Sequence, residues 1–269
     1  MRPVGYATPG KALAREILEA FCAGAGGKVV EGSVKELLPG PAAFYGVTPA
    51  TAHLWRQAKA EGRDWYYIDN AYFHECRGKF YRATRNRLQH HGVGVSSGRR
   101  LAALDLEILP WRKSGKHVVI VPQSDEFMQV VAEWRTNIYG HTRWGDAAIA
   151  ALRRYSEREL RVLVWNRDKA KWYQELPPNF VDCWCLITYS SASAISALLA
   201  GVPAICTADD CIARPMVKAD FDDIEYPLRP EGREQWAAVV ADNQWTLDEM
   251  RSGLAWRMLQ NEREGIRAA

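Results

Sequence analysis

Residues 183–206 read CWCLITYSSASAISALLAGVPAIC. From 183 to 188 the run is apolar at almost every position, which is the pattern of a strand covered on both faces. Polar groups then crowd together as Thr188, Tyr189, Ser190, Ser191 and Ser193. Beyond them Ala194, Ala197 and Leu198 lead to a stop at Gly201, the signature of a short helix, and residues 202–207 form another apolar run. A strand, a helix and a strand within so short a span imply parallel strands joined by a crossover, and hence an α/β sheet.

The same alternation extends outward. KHVVIVPQS (116–124) is a strand ending in Gln123 and Ser124, residues 146–155 are the core of a helix, and RVLVWN (161–166) is a strand that runs into Asn166, Arg167, Asp168 and Lys169. In the first hundred residues, strands are expected at 3–8, 28–32, 42–47 and 64–70, with helices at 11–24 and 48–61, the second capped by Thr48 with Pro49 in its first turn. The polar stretch LPWRKSGK (109–116) separates the two alternations, so the expected domains are 1–108 and 109–269, with parallel sheets facing a cleft. Residues 246–263 have a helical pattern and start with Thr246 and Glu249 at capping-box spacing.

Composition narrows the class. A chain of 269 residues with 48% hydrophobic and 25% charged residues is neither disordered, collagen-like nor a coiled coil. No stretch approaches the roughly 20 apolar residues of a membrane helix, and the N-terminal sequence lacks the apolar core of a signal peptide, so a cytoplasmic protein is expected. Cys22, Cys76, Cys183, Cys185, Cys206 and Cys211 show no zinc-site spacing and read as buried thiols. Net charge is only +3, yet residues 77–100 hold seven cations (Arg77, Lys79, Arg82, Arg85, Arg87, Arg99, Arg100) and no acid. The rest of the chain is therefore mildly acidic.

Parallel strands bind ligands at their carboxyl ends, and the polar residues collect there. The hydroxyls of 188–193 suit an anion such as a diphosphate, or serve as an ordinary serine cap. Arg167 and Lys169 can neutralise a departing diphosphate, or sit in a solvated turn. Asp69 and Asn70 end an apolar strand: the carboxylate suits a general base, with Asn70, His74, Arg82 and Asn86 orienting an acceptor, while Asp-Asn is also common in turns. Asp209-Asp210 and Asp222-Asp223 have no defined metal-ligand spacing and read as caps or solvated loops. The basic segment, interleaved with Phe80, Tyr81 and amide side chains, suits a nucleic-acid face, a solvated surface or a phosphorylated ligand. No Walker A, GxGxxG or GxSxG pattern occurs, which argues against kinases, dinucleotide dehydrogenases and α/β-hydrolases.

ITYSSASAISALLAGVPAI (187–205) resembles the nucleotide-sugar-binding strand and helix of GT-B glycosyltransferases, particularly polysaccharide-type enzymes with T-Y-S-S followed by E-A-L and G-x-P. SERELRVLVWNRDK (156–169) and HVVIVPQS (117–124) are similar to their basic strand end and first donor strand. WYYIDNAYF (65–73), FYRATRN (80–86) and NQWTLDEMRSGLAW (243–256) resemble tailed-phage proteins of this class, some of them proposed to glycosylate hydroxymethylated DNA bases. The resemblance implies a GT-B-like α/β fold with two Rossmann-type domains: 1–108 for the acceptor, and 109–269 for the nucleotide-sugar together with the C-terminal helix. It implies a metal-independent hexosyltransferase that needs no cofactor. The donor would be a UDP-sugar, UDP-glucose first, held by Gln123, Ser124, Arg167, Lys169, Thr188, Tyr189, Ser190, Ser191 and Ser193. The acceptor would be double-stranded phage DNA carrying 5-hydroxymethylcytosine or a related base, held by Asn70, Tyr72, His74, Arg82 and Asn86, with Asp69 as base, in the host cytoplasm. Ser196 stands where the family usually has Glu, and Asn166 where Arg is common. A surface-polysaccharide acceptor and a non-catalytic binding protein of the same fold are the alternatives.

Overall fold

The structure, a computed structural model, describes residues 1–124, 127–128, 143–163 and 180–267. It is a mixed α/β protein with parallel sheets. The chain divides into two compact units, one of Met1–Tyr72, Cys76–Gln89 and Asn243–Ala269, the other of Phe73–Glu75 and His90–Asp242.

The first unit carries a five-stranded sheet of order β2-β1-β3-β4-β5. Its strands are β1 (Val4–Ala7), β2 (Lys28–Glu31), β3 (Ala42–Tyr45), β4 (Trp65–Asn70) and β5 (Tyr81–Arg85). The first four are parallel and β5 runs antiparallel to β4. Every residue of β1 is buried, as expected where helices cover both sheet faces. Helix α1 (Ala12–Gly24) lays Ile17, Leu18, Phe21 and Cys22 on the sheet, positions that share one helical face. Helix α2 (Ala52–Ala60) begins later than its sequence pattern, because Thr48 and Thr51 close a hydrogen-bonded turn first. The end of the chain returns to this unit: Trp245, Met250, Ala255 and Leu259 join the core around Phe21 and Tyr66. The capping box of Thr246 and Glu249 forms, and two helices follow instead of one, α7 (Leu247–Arg251) and α8 (Leu254–Arg267). Gly253, at φ 79°, breaks the pattern between them.

The second unit has, among the described residues, a parallel four-stranded sheet of order β7-β6-β8-β9. These are β6 (His117–Val121), β7 (Glu159–Val162), β8 (Cys183–Thr188) and β9 (Ala204–Cys206). Helices α3 (Arg99–Ala103), α4 (Trp144–Leu152), α5 (Ser193–Leu199) and α6 (Arg233–Asp242) accompany it. Val118, Ile120, Cys185, Ile187 and Ile205 form its core with Trp144, Ala148 and Leu152 of α4. All six cysteines are buried, and none of them forms a disulfide. Among the described residues, no helix is long and apolar enough to cross a membrane.

Two further elements depart from the sequence expectation. Strand β5 falls in the basic segment expected to be loops, and its register on β4 explains why: Asp69 faces Arg82 across the ladder. Helix α6 buries six consecutive positions, Trp236 to Ala241, and so has no amphipathic period to read.

Candidate functional site

In the second sheet the chain steps from β6 outward to β7, then returns to place β8 on the other side of β6. The strand order thus reverses between β6 and β8, and ligands of open parallel sheets bind at such a reversal, beyond the carboxyl ends of the strands. Gln123 follows β6 there and its Nε2 donates to Ser190 Oγ, after β8, at 3.0 Å. Thr188 Oγ1 donates to the Val121 carbonyl at 2.7 Å and accepts from the Ser191 N–H at 3.2 Å, which fixes the turn after the strand. Ser191 and Ser193 hydroxyls meet at 3.0 Å. Ser190 and Ser193 are each 3% exposed, so these hydroxyls are built into the edge and not left on a solvated surface.

Ser124 sits on the exposed side of the same edge and accepts from the Phe127 N–H at 3.1 Å. Tyr189 is half-buried against Trp144, their rings 6.3 Å apart and edge-on. Burial raises its phenol pKa, and the carboxylates of Asp209 and Asp210 add to the effect, so Tyr189 stays a neutral hydroxyl at physiological pH. Gln123, Ser124, Thr188, Tyr189, Ser190, Ser191 and Ser193 are therefore brought together, whereas Arg167 and Lys169 lie outside the described residues. Two members of this edge escaped the sequence reading: Trp144 Nε1 donates to Thr207 Oγ1 at 3.0 Å, and the Thr207 and Ala208 N–H groups bond to the Thr188 and Tyr189 carbonyls. Nothing in a helical tryptophan or a threonine after a strand marks such a role.

In the first unit, Asp69 closes β4 as expected, and its surroundings are specific. Asp69 Oδ2 accepts from Arg82 Nη2 at 2.6 Å and from the Tyr67 hydroxyl at 3.2 Å, while Oδ1 accepts from the Asn70 N–H at 2.8 Å. Burial, followed by the Asp69 charge, raises the Tyr67 pKa far above its ordinary value, so Tyr67 remains a donor to the carboxylate. The Arg82 guanidinium also lies 5.1 Å from the Tyr72 ring centre. Asn70 Oδ1 accepts from the Tyr45 hydroxyl at 3.1 Å. Tyr72 is fully buried, and its N–H donates to Gln244 Oε1 at 3.0 Å. Asp69, Asn70, Tyr72 and Arg82 thus form one cluster. Asn86 is not part of it: it bonds to Trp65 at the opposite end of β4 and to Asp64. His74 belongs to the second unit, where it lines a cleft with Glu75 and Ser196. The order of the first sheet reverses between β1 and β3, where Thr8 and Thr48 hydroxyls meet at 3.1 Å, a pair with no motif to announce it.

The basic segment is less of a surface than its sequence suggests. The side chains of Arg82 and Arg85 are 9% and 10% exposed and are held by Asp69 and Asp64. Residues 77–89 and 90–100 also belong to different units. Gly92, at φ 72°, lies against the chain's own backbone, since a Cβ there would fall 2.0 Å from the Ile212 carbonyl. Asp209 pairs with Arg214 and Asp223 with Lys218. Among the described residues, no group of three His, Cys, Asp or Glu could hold a metal ion.

No family model matches the sequence, and no curated protein matches it. Among solved structures the chain is similar to Thermosulfurimonas dismutans KpsC, described as a β-Kdo 2,4 transferase, with a TM-score of 0.51 and 13% identity over 89% of this chain and 90% of that one. It is also similar to the β-Kdo 2,7 transferase of KpsC from the same organism, with a TM-score of 0.50 and 10% identity over 96% of this chain and all of that one. At such identities the likeness is one of fold.

Proposed function

We propose that the chain is a GT-B-type glycosyltransferase that binds a nucleotide-sugar at the edge of Gln123, Ser190, Ser191 and Ser193 and transfers the sugar to a saccharide hydroxyl. The observation that carries this reading is the Gln123–Ser190 hydrogen bond at the reversal of strand order. The likeness in fold to two Kdo transferases supports it.

The chemistry asked of such an edge is electrostatic. As the bond from sugar to phosphate breaks, negative charge grows on the phosphate, and donors already in position stabilise it without reorganising. Ser190, Ser191 and Ser193 are such donors, and Arg167 and Lys169 follow a neighbouring strand in the sequence. Asp69 takes the proton of the acceptor hydroxyl, with Tyr67 and Arg82 fixing its orientation. In this reading neither a metal nor a cofactor takes part. A DNA acceptor draws little support from the basic segment, because Arg82 and Arg85 are committed to Asp69 and Asp64.

The test uses sugar-labelled donors, UDP-glucose and nucleotide-activated Kdo among them, offered with saccharides or with hydroxymethylated DNA, with and without chelator. Label is expected in saccharide, and Gln123→Ala or Ser190→Ala should lower kcat/KM by about tenfold or more, the loss of roughly one transition-state hydrogen bond. Label in DNA nucleosides would move the acceptor to nucleic acid. No transfer and no nucleotide release from any donor would overturn the reading.

A further inference from the structure

Two clefts in the second unit are lined by none of the residues at the Gln123–Ser190 edge. The larger, about 860 Å³, includes Ser97, Leu101, Asp105, Ile108, Glu234 and Gln235 in its wall. The smaller, about 310 Å³, includes His74, Glu75, Glu107, Phe180 and Ser196. Both volumes fall in the range of ligand pockets, roughly 300–1,000 Å³. Asp105 and Leu106 line both, so one short stretch of chain separates the two. Asp105 holds the left-handed conformation, at φ 51°, which few residues other than glycine adopt and which turns the chain between the clefts.

Their chemistry is consistent from one cleft to the other. Leu106 and Ile108, half-buried in walls that also contain the buried Leu101 and Phe180, offer apolar surface that matches the C–H face of a sugar ring. The serine hydroxyls, the Gln235 amide and the carboxylates of Asp105 and Glu234 suit a ligand rich in hydroxyl groups. Glu75 and Glu107 add two further carboxylates, and among the described residues that line the two walls there is no Lys or Arg. A polyanion is therefore disfavoured, and an ammonium group is attracted. Helix α5 connects this region to the candidate donor edge: Ser193 starts the helix at that edge, and Ser196, Leu199 and Ala200 line the smaller cleft.

We infer that the two clefts bind an amine-bearing saccharide within the second unit, an inference that rests on the transferase reading proposed above for the choice of a saccharide as ligand. Calorimetric titration of the full chain with the glucosamine tetramer tests the binding itself, with the N-acetylated and the sulfated tetramers as controls of equal length. The glucosamine tetramer should bind, its N-acetylated form about tenfold more weakly and the sulfated form not measurably, since ammonium–carboxylate attraction is lost in one and reversed in the other. Asp105→Asn combined with Glu234→Gln should weaken the glucosamine tetramer by about tenfold while leaving the thermal midpoint in place, because both side chains are exposed and asparagine tolerates the φ of residue 105. No binding at millimolar concentration, equal affinity for the sulfated tetramer, or an unchanged affinity in the double variant would overturn the inference. Donor consumption measured on the same samples keeps the two proposals apart. Donor turnover without tetramer binding removes only the saccharide clefts, and tetramer binding without turnover of any donor removes only the transferase.

Discussion

Asp69 and Arg82 face each other in the antiparallel register of β4 and β5 and pair at 2.6 Å, the arginine side chain 9% exposed and the aspartate 26%. Burial works against the charge on Arg82, but Asp69, Tyr72 and Tyr67 outweigh it and hold the guanidinium above its ordinary pKa. The pair holds the end of β4 to β5, and it leaves the carboxylate as a fixed acceptor surrounded by donors from Arg82, Tyr67 and Asn70.

Removing either partner should therefore cost stability, because the other charge is left without its counterion. Arg82→Met is expected to lower the unfolding free energy by about 3 kcal/mol in urea melts, the low end for a broken buried pair since Asp69 retains some contact with water. Asp69→Asn should cost a similar amount and, in the transferase reading, lower kcat by about 10²- to 10⁴-fold in protein that is still folded by circular dichroism. Full activity in folded Asp69→Asn would remove Asp69 as the base.

A second prediction concerns how the end of the chain is held to the first unit. A Cβ at Gly24 would lie 1.9 Å from the Met250 carbonyl oxygen and 2.7 Å from the Gly253 nitrogen. Both are backbone atoms, so no rotamer change relieves the clash. Gly24→Ala should force α1 and α7 apart at a cost of about 3 kcal/mol, the upper range for overpacking. Loss of the cap in Thr246→Ala should cost only about 1 kcal/mol. Equal losses in parallel urea melts would mean that the close approach contributes nothing beyond the cap.

Strands β1, β3, β4, β6 and β8 were legible because parallel strands covered on both faces must be apolar almost throughout. Strand β5 was not, because Arg82 and Arg85 look like surface cations until Asp69 and Asp64 appear across the ladder. Thr188 to Ser193 and Gln123 could be singled out one by one as polar strand ends, yet their meeting depends on a strand order that local sequence does not carry. Trp144 and Thr207 gave no signal, since their hydrogen bond joins a helix to a strand end 63 positions away. The C-terminal helices were expected with the second domain, and they lie in the unit of β1 to β5, an attachment made by Trp245 and Met250 in its core.

The cysteines give a third prediction. Burial raises the Cys22 thiol to about 12 and the Cys183 thiol to about 11, and the thiolate is the form that alkylates. In native protein at pH 8 Cys22 and Cys183 should stay unmodified by iodoacetamide, and all six cysteines should react in denaturant. Native labelling of Cys22 or Cys183 on the timescale of the denatured control would show that their strands and helices open locally far more often than their burial implies.

The fourth prediction is a pH dependence centred on Glu225. Ser156 Oγ donates to Glu225 Oε1, and Arg158 donates to Oε2 through Nε at 3.2 Å and Nη2 at 3.0 Å, while its guanidinium stacks 4.3 Å from the Trp184 ring centre. Burial alone would raise the Glu225 pKa, but the bonds from Ser156 and Arg158 outweigh it and hold the carboxyl below its ordinary value of 4.5. A folded-state pKa below the unfolded one gives stability that is present above about pH 4.5 and is lost as pH falls through the lowered value. The Glu225 side chain is 36% exposed, so solvent screening keeps the contribution on the order of 0.5 kcal/mol. Glu225→Gln should therefore be less stable than the natural sequence at pH 7, and the gap should narrow in urea melts taken at pH 5, 4 and 3. A gap that stays constant down to pH 3 would assign the loss to packing around Arg158 and Trp184 and not to the charge on Glu225.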